Sequence, residues 1–368
     1  MCNIRIKALV VLVLGCAIFM GCKEKVEAEK ASPPYKRPML IDAHTHLQYF
    51  AVERIKRIMD DNRIEVMINM SGGNHGDGGI VWAFEMQNAL PGRIYNCYDP
   101  DWERIDEPDF AEVEAIRLED AVKRFGFVCL KISKALGLYV RYKSGVLVEI
   151  DDPKLDPLWE AAGRLEIPVY QHAGDPKAFF LPPDEKNERF KELSVHPYWS
   201  FYGGDWPSWD ALLDAFERVV ARHPETIFIG VHFGNAAEEP ERVARMLDKY
   251  PNYFIDIAAR VPEFGRHDAK KMHDFFVKYQ DRILFGTDIG ISKRHLVLGS
   301  SGEENPTEED AKKFYQAHFR YFETNDRQID HPTPIQGDWK IDAIGLPPEV
   351  LDKIYRKNAE RIVLKRKP

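Results

Sequence analysis

The sequence predicts an α/β chain folded as a single (β/α)8 TIM barrel, and three observations carry that prediction. Apolar, β-rich runs alternate with amphipathic stretches eight times between residues 39 and 323, the pattern of βαβ units with parallel strands. Four of those runs end in a histidine or an aspartate, and barrel enzymes place their functional residues at the C-terminal ends of strands. No Gly-x-Gly-x-x-Gly follows an early strand, which leaves the dinucleotide-binding alternative unsupported. The length of 368 residues would ordinarily suggest two domains. A single barrel takes about 250 residues and often more, and a hydrophobic content of 44% is ample for its core.

The first strand, 39–47, contains Ile-Asp-Ala-His44-Thr-His46. On an extended strand residues i and i+2 face the same side, so both imidazoles can reach one ion. Helix 52–60 follows, then strand 65–70 and the glycine-rich loop 71–79, a turn whose backbone amides also suit an anion. Helix 81–90, strand 93–98 and helix 110–124 lead to strand 127–132, which carries Lys131 near its end. Lys131 is read as a cation for a substrate carboxylate or as a structural ion-pair partner. Helix 155–165 and strand 168–172 bring the chain to His172.

A long insertion then runs from residue 174 to 207 without a clear helix, the mark of a lid or binding loop. Its Phe179, Phe180, Trp199, Phe201, Tyr202 and Trp206 can wall a pocket or form the lid's own small core. Asp175, just past His172, is a candidate to contact the substrate or to hold a metal ligand in place. In helix 209–222, Leu212, Leu213, Phe216, Val219 and Val220 fall on one face. Strand 226–232 ends in His232, and helix 240–249 leads to strand 253–257, beyond which Arg260 can meet an anionic group. Helix 269–279, strand 283–288 ending in Asp288, and helix 308–323 complete the eight units.

The N-terminus reads as an export signal. Arg5 and Lys7 precede an almost unbroken apolar run, 8–20, and Gly21-Cys22 follows. That run is shorter than the roughly 20 residues needed to span a bilayer. Residues 19–22 resemble a bacterial lipobox, with Phe19 and Met20 departing from the small or aliphatic residues usual there. Residues 1–21 are therefore expected to be a signal peptide, Cys22 the lipidation site, 22–38 a flexible tether, and 39–368 the barrel domain. The chain would be exported and lipid-anchored to the bacterial cell envelope, in the periplasm or at the outer membrane. A formal charge of −8 with no basic stripe excludes nucleic acid as a partner. The expected partners are a small-molecule substrate and the membrane, and a homo-oligomer is compatible with the reading. Cys97 and Cys129 would face an oxidising compartment. They are nevertheless expected as buried free thiols, because neighbouring parallel strands rarely meet disulfide geometry.

In order and spacing, Ile-Asp-Ala-His44-Thr-His46, His172, His232, Phe-Gly-Thr-Asp288 and the closing Lys353-Ile-Tyr-Arg-Lys-Asn-Ala359-Glu-Arg resemble the amidohydrolase superfamily, in its amidohydrolase-related (family 2) branch. The resemblance covers residues 39 to about 364. It implies that His44, His46, His172 and Asp288 hold a divalent metal, and that His232 orients the metal's water or moves its proton. It also implies one metal rather than two, although in two-metal relatives a lysine placed like Lys131 is carbamylated and bridges both ions. Chemistry agrees: three imidazoles and a carboxylate suit Zn²⁺ with a position left for water, whose pKa the ion brings to near 7. Asp288 and His232 are thus the expected catalytic pair, one relaying the proton and the other holding hydroxide or a developing oxyanion.

Three functions compete on this reading. The first is a metal-dependent hydrolase of an amide, lactone or other ester-like bond. The second is a nonoxidative carboxy-lyase using the same ligands. The third, weakest because every metal-type position is filled, is a non-catalytic ligand- or glycan-binding surface lipoprotein.

Overall fold

The computed structural model describes residues 35–302 and 305–366. The expected export signal, the lipid site Cys22 and the tether as far as residue 34 lie outside the described residues. The compact unit begins at Arg37. Composition assigns Arg37 to the tether, yet its guanidinium pairs with Glu323 at 2.6 Å and sits 3.6 Å over the Phe319 ring. Among the described residues no helix is long and apolar enough to cross a membrane.

Seven strands run parallel in sequence order: β1 (Leu40–Leu47), β2 (Ile64–Asn69), β3 (Ile94–Tyr98), β4 (Cys129–Ile132), β5 (Val169–Gln171), β6 (Phe228–Gly230) and β7 (Tyr253–Asp256). The eighth position is filled by two short pieces, β8 (Ile283–Leu284) and β9 (Ile289–Ile291). β8 pairs with β7 and β9 pairs with β1. Between them Ala43 N donates to Phe285 O and Asp288 N donates to His44 O, both at 2.9 Å, so the ring closes. The expected continuous strand breaks because Asp288 adopts φ 62°, a left-handed conformation that cannot continue a pleat. β10 (Leu296–Leu298) folds back antiparallel on β9.

The amphipathic stretches form the outer helices, from Val52–Asp61 to Glu308–Glu323. The last of these shows why the chain turns helical where it does. Thr307 Oγ1 accepts from Asp310 N at 3.2 Å and the Asp310 carboxylate accepts from Thr307 N at 3.0 Å, a capping box whose cap is worth about 1 kcal/mol. Its buried face presents Ala311, Phe314, Tyr315, His318, Phe319 and Phe322. Inside the barrel Ile41, Val66, Ile68, Tyr170, Ile229 and Leu284 pack with Ala359, Ile362 and Val363 from the C-terminal segment. Each large apolar side chain so buried contributes about 1.5–3 kcal/mol.

Two expectations are corrected. Cys97 and Cys129 lie directly opposite in the β3–β4 register, with Cα atoms 4.4 Å apart, and are joined as a disulfide rather than left as free thiols. Direct opposition brings the pair to the short end of the Cα range that disulfides span. The insertion after β5 also contains a short helix, Phe190–Val195, between 3-10 turns at Lys177–Phe180 and Pro197–Trp199. Six residues are too few to display a helical period in the sequence.

Candidate metal centre

β1 delivers two histidines to the mouth. Its pairing with β2 shifts register between Asp42 and Thr45, a device that re-aims side chains beside active sites. His44 Nε2 then lies 3.4 Å and His46 Nε2 3.3 Å from Asp288 Oδ1. These three donor atoms lie within 4.8 Å of one another. The sharp turn at Asp288 makes this approach, and the glycine of Phe-Gly-Thr-Asp permits it: a Cβ on Gly286 would stand 2.8 Å from His44 Cβ.

Asp256, at the end of β7, was not singled out by sequence, yet it organises the floor. Its Oδ2 accepts from His44 Nδ1 at 2.7 Å, and its Oδ1 accepts from His232 N at 2.8 Å and Ala258 N at 3.1 Å. With its oxygens so engaged, Asp256 orients ligands rather than serving as one, although its carboxylate also lies near His44 and His232. Holding a proton on Nδ1 leaves His44 Nε2 with its lone pair outward, the tautomer a metal needs. Ser71 Oγ stands 2.6 Å from His46 Nδ1, where it can accept that nitrogen's proton in the same way. Asp42 anchors the eighth strand by accepting from Thr287 Oγ1 and Tyr315 OH, both at 2.6 Å. Burial raises the Asp42 carboxyl to about 7. The faint signals were an aspartate inside the apolar run of β7 and the aspartate two residues before His44.

His172 and His232 pack together, ring centroids 4.4 Å apart. His172 does not join the tight trio: its Nε2 has Asp175 Oδ1 at 3.6 Å, beyond a hydrogen bond. His232 adopts φ 56° and its Nδ1–H donates to Ala258 O at 2.9 Å. Its ring still lines the cavity, so the backbone hydrogen bond does not make it merely a core residue. Asn235 ties the two strand ends, accepting from Ala173 N at 2.8 Å and donating to Gly174 O at 2.5 Å. Left-handed backbone at His232, Phe233, Asn235, Ala259 and Asp288 concentrates around this mouth, as strain does at functional sites.

Electrostatics keep the donors in the forms a cation requires. Burial pushes the His172 imidazole down to about 4 and lowers His44 and His232 as well, so all three are neutral near pH 7. Burial alone would raise Asp288, but the imidazoles of His46 and His44 beside it and the nearby Lys131 ammonium outweigh burial and hold the carboxyl well below its usual range. Lys131 is 3% exposed and its Nζ has no hydrogen-bond partner. Burial lowers its ammonium against the pull of Asp256, Asp288 and Asp99. It is not among the residues that line the cavity. Two buried nitrogens, His44 Nε2 and His172 Nε2, also have no hydrogen-bond partner, whereas buried polar atoms ordinarily find one. Orphaned imidazole nitrogens beside an ionised carboxylate fit a divalent ion.

Asp288, His172 and His232 open onto a cavity of about 210 Å³ that the insertion covers. Phe179 and Trp199, stacked at 6.2 Å, line it, as do Lys134, Asp175, Arg189, Glu192 and Arg260. Phe180 and Phe201 stack on each other at 4.9 Å as part of the lid's own core. The aromatic insertion thus serves both purposes the sequence left open. Asp175 is 5% exposed and bound to Lys134 Nζ at 2.5 Å.

A barrel with imidazoles and a carboxylate gathered at its strand ends defines the class of metal-dependent barrel enzymes. Within that class the chain belongs to the amidohydrolase family, whose Amidohydro_2 model matches residues 41–364. No curated protein matches the sequence. Among solved structures, a dihydroxybenzoic acid decarboxylase from Polaromonas sp. JS666, with bound manganese and the inhibitor 2-nitroresorcinol, is similar with 17% identity and a TM-score of 0.52, over 90% of this chain and 98% of that one. 2,6-Dihydroxybenzoate decarboxylase from Rhizobium gives 17% and 0.49 over 88% and 98%. Dihydroorotase from Campylobacter jejuni gives 13% and 0.45 over 91% and 85%. At 17% identity the likeness to the Polaromonas enzyme is one of fold.

Proposed function

We propose that this enzyme is a metal-dependent hydrolase cleaving an amide, lactone or other ester-like bond in a small molecule. The observation that carries the reading is the trio of His44 Nε2, His46 Nε2 and Asp288 Oδ1 beside the cavity. These residues would hold one divalent ion, with His172 as a further donor. Zinc is the expected ion for an imidazole-rich set with one carboxylate. When bound, such an ion polarises a carbonyl and brings the pKa of a coordinated water to near 7. Asp288, held ionised, takes the proton of the attacking water and returns it to the leaving group. His232 spends its Nδ1–H on Ala258 O and stays neutral, so its Nε2 accepts an O–H from that water and aims it. The same bond argues against donation by His232 to an oxyanion.

The test is a panel of lactones, amides, esters and arylcarboxylic acids offered to the full chain in ¹⁸O water, with metal analysis alongside. One equivalent of metal, metal-dependent turnover and ¹⁸O in the product are expected. Carbon dioxide release without ¹⁸O incorporation would replace hydrolysis by nonoxidative decarboxylation on the same residues. Two equivalents would overturn the one-metal reading, and manganese in place of zinc would correct the ion.

The proposal also places the enzyme outside the cytoplasm on a lipid at Cys22. The Cys97–Cys129 disulfide supports this, since such bonds persist in oxidising compartments. Cys22→Ser should move the protein from the membrane fraction to the soluble one.

A further inference from the structure

The helix Gly79–Ala89 is apolar on both sides. Ile80, Ala83 and Met86 are buried, while Val81 and Trp82 stand 50% and 52% exposed. A helix apolar all round ordinarily has both faces covered. Beside it, the turn Tyr49–Ala51 after β1 leaves Phe50 69% exposed. The rings of Tyr49, Phe50 and Trp82 gather with centroids 5.1 to 5.7 Å apart, so these side chains form one exposed patch rather than scattered apolar residues.

Cations border the patch. Tyr49 and Phe50 line an open groove of about 730 Å³ together with Arg54, Arg57, Lys293 and Arg294. Glu308 answers Arg54 and Arg57. Lys293 and Arg294 are exposed, and among the described residues neither side chain has a hydrogen-bond or ion-pair partner. The groove thus carries four cations against two carboxylates, Glu53 and Glu308, in a chain whose formal charge is −8. Aromatic residues rimmed by lysine and arginine suit the surface of an anionic bilayer, where tryptophan and tyrosine sit at headgroup level and the negative surface potential draws the cations. A second copy fits less well. A two-fold contact through the patch would set the cations of one copy near those of the other. Four apolar side chains also fall far short of the roughly 20 residues a side that a stable interface buries.

The chain is long enough for the contact. Fourteen residues separate Cys22 from Arg37, where the compact unit begins, a span of about 50 Å when fully extended and about the diameter of a compact domain of this size. A lipid on Cys22 therefore does not by itself fix which face of the barrel meets the bilayer. The patch lies at the mouth end, since Tyr49 follows by three residues His46, whose imidazole is 42% exposed. We infer that Tyr49, Phe50, Val81 and Trp82, with Lys293 and Arg294, form a docking surface for an anionic lipid bilayer and turn the His46 side of the mouth toward it. The inference rests on the membrane location proposed above and adds to it a contact made by the folded domain.

Quenching of tryptophan fluorescence tests it, with the full chain on vesicles that contain acyl chains brominated near the headgroup. Phosphatidylglycerol vesicles should quench the fluorescence, and neutral phosphatidylcholine vesicles should quench it less. Trp82→Phe, which keeps an aromatic ring and removes the reporter, should lose most of that quenching. Lys293→Gln with Arg294→Gln, or high salt, should weaken it. Phe50→Ser should weaken it with an unchanged unfolding midpoint, and decides the matter if the Trp82 variant fails to fold. No quenching on phosphatidylglycerol, equal quenching on the two lipids, or quenching undiminished in Trp82→Phe would overturn the inference. So would a dimer in solution that Phe50→Ser separates, which would assign the patch to a second copy. Mass spectrometry of the same protein tells this contact from the anchor. Quenching without a lipid on Cys22 would uphold the patch and sink the anchor, and a lipid on Cys22 without quenching would do the reverse.

Discussion

The strand ends and the insertion build two walls of one cavity by opposite rules. On the strand ends, polar groups are left without hydrogen-bond partners: His44 Nε2, His172 Nε2 and Lys131 Nζ are buried and unbonded. In the insertion and the turn after β7 the unbonded buried atoms, Arg189 Nε and Nη2 and the Glu263 oxygens, belong to groups held in ion pairs. Arg189 stands against Glu192 and Glu263, Lys134 against Asp175, and Glu192 is bound in turn to Ser300. A buried polar atom with no partner destabilises a fold unless something else binds it. The difference therefore separates the wall that does chemistry from the wall that closes over it.

The most severe way to break the comparison is Asp288→Asn, which keeps shape and removes charge. Activity should fall by about a thousandfold or more and bound metal to well below one equivalent, with the far-ultraviolet circular dichroism unchanged. Undiminished turnover would mean that the unbonded donors are not the working wall. Glu263→Gln probes the other side. It leaves the Arg189 guanidinium underpaired in a buried position and should lower stability in urea by about 3 kcal/mol, while metal content stays at the wild-type level. Loss of metal without loss of stability would reverse the roles of the two walls.

A smaller effect follows from pH. In the metal-free protein His172, in the site, and His318, behind it in the helix layer, are both pushed by burial from the usual 6.5 to about 4. The unfolded chain binds these protons first, so the contribution is complete above about pH 6.5 and is lost as the pH falls toward 4. His318→Leu should remove part of that slope in the unfolding midpoint. Saturating metal should keep His172 neutral in the folded protein to lower pH, so that its part of the loss continues below about pH 4 while the His318 part levels off there. A slope unchanged in His318→Leu would show that this imidazole is not buried neutral.

Much of the fold was legible because its signals are local. The strand runs ending at His46, His172 and His232 and the amphipathic helices between them are periodicities that a short window displays, and the strand ends gave the candidate ligands. What could not be read has a common cause. The Phe190–Val195 helix is shorter than two turns, and the break at Asp288 depends on how closely Gly286 must approach His44. Asp256 resembles any polar residue closing a strand until its oxygens are seen to hold His44, His232 and Ala258. The pairing of Cys97 with Cys129 turned on register between two strands, which neither strand encodes alone.

The sequence by itself therefore determined the order of strands and helices, the barrel they close, the family they belong to and the kinds of donor at the strand ends, because backbone periodicity and residue type are properties of contiguous chain. Only the tertiary structure decided which of those polar atoms are satisfied and which stand open. That depends on distances between residues as far apart in the chain as His44 and Asp256, and on whether a charge such as Arg189 finds a partner once it is buried. Function at this mouth resides in the atoms left open.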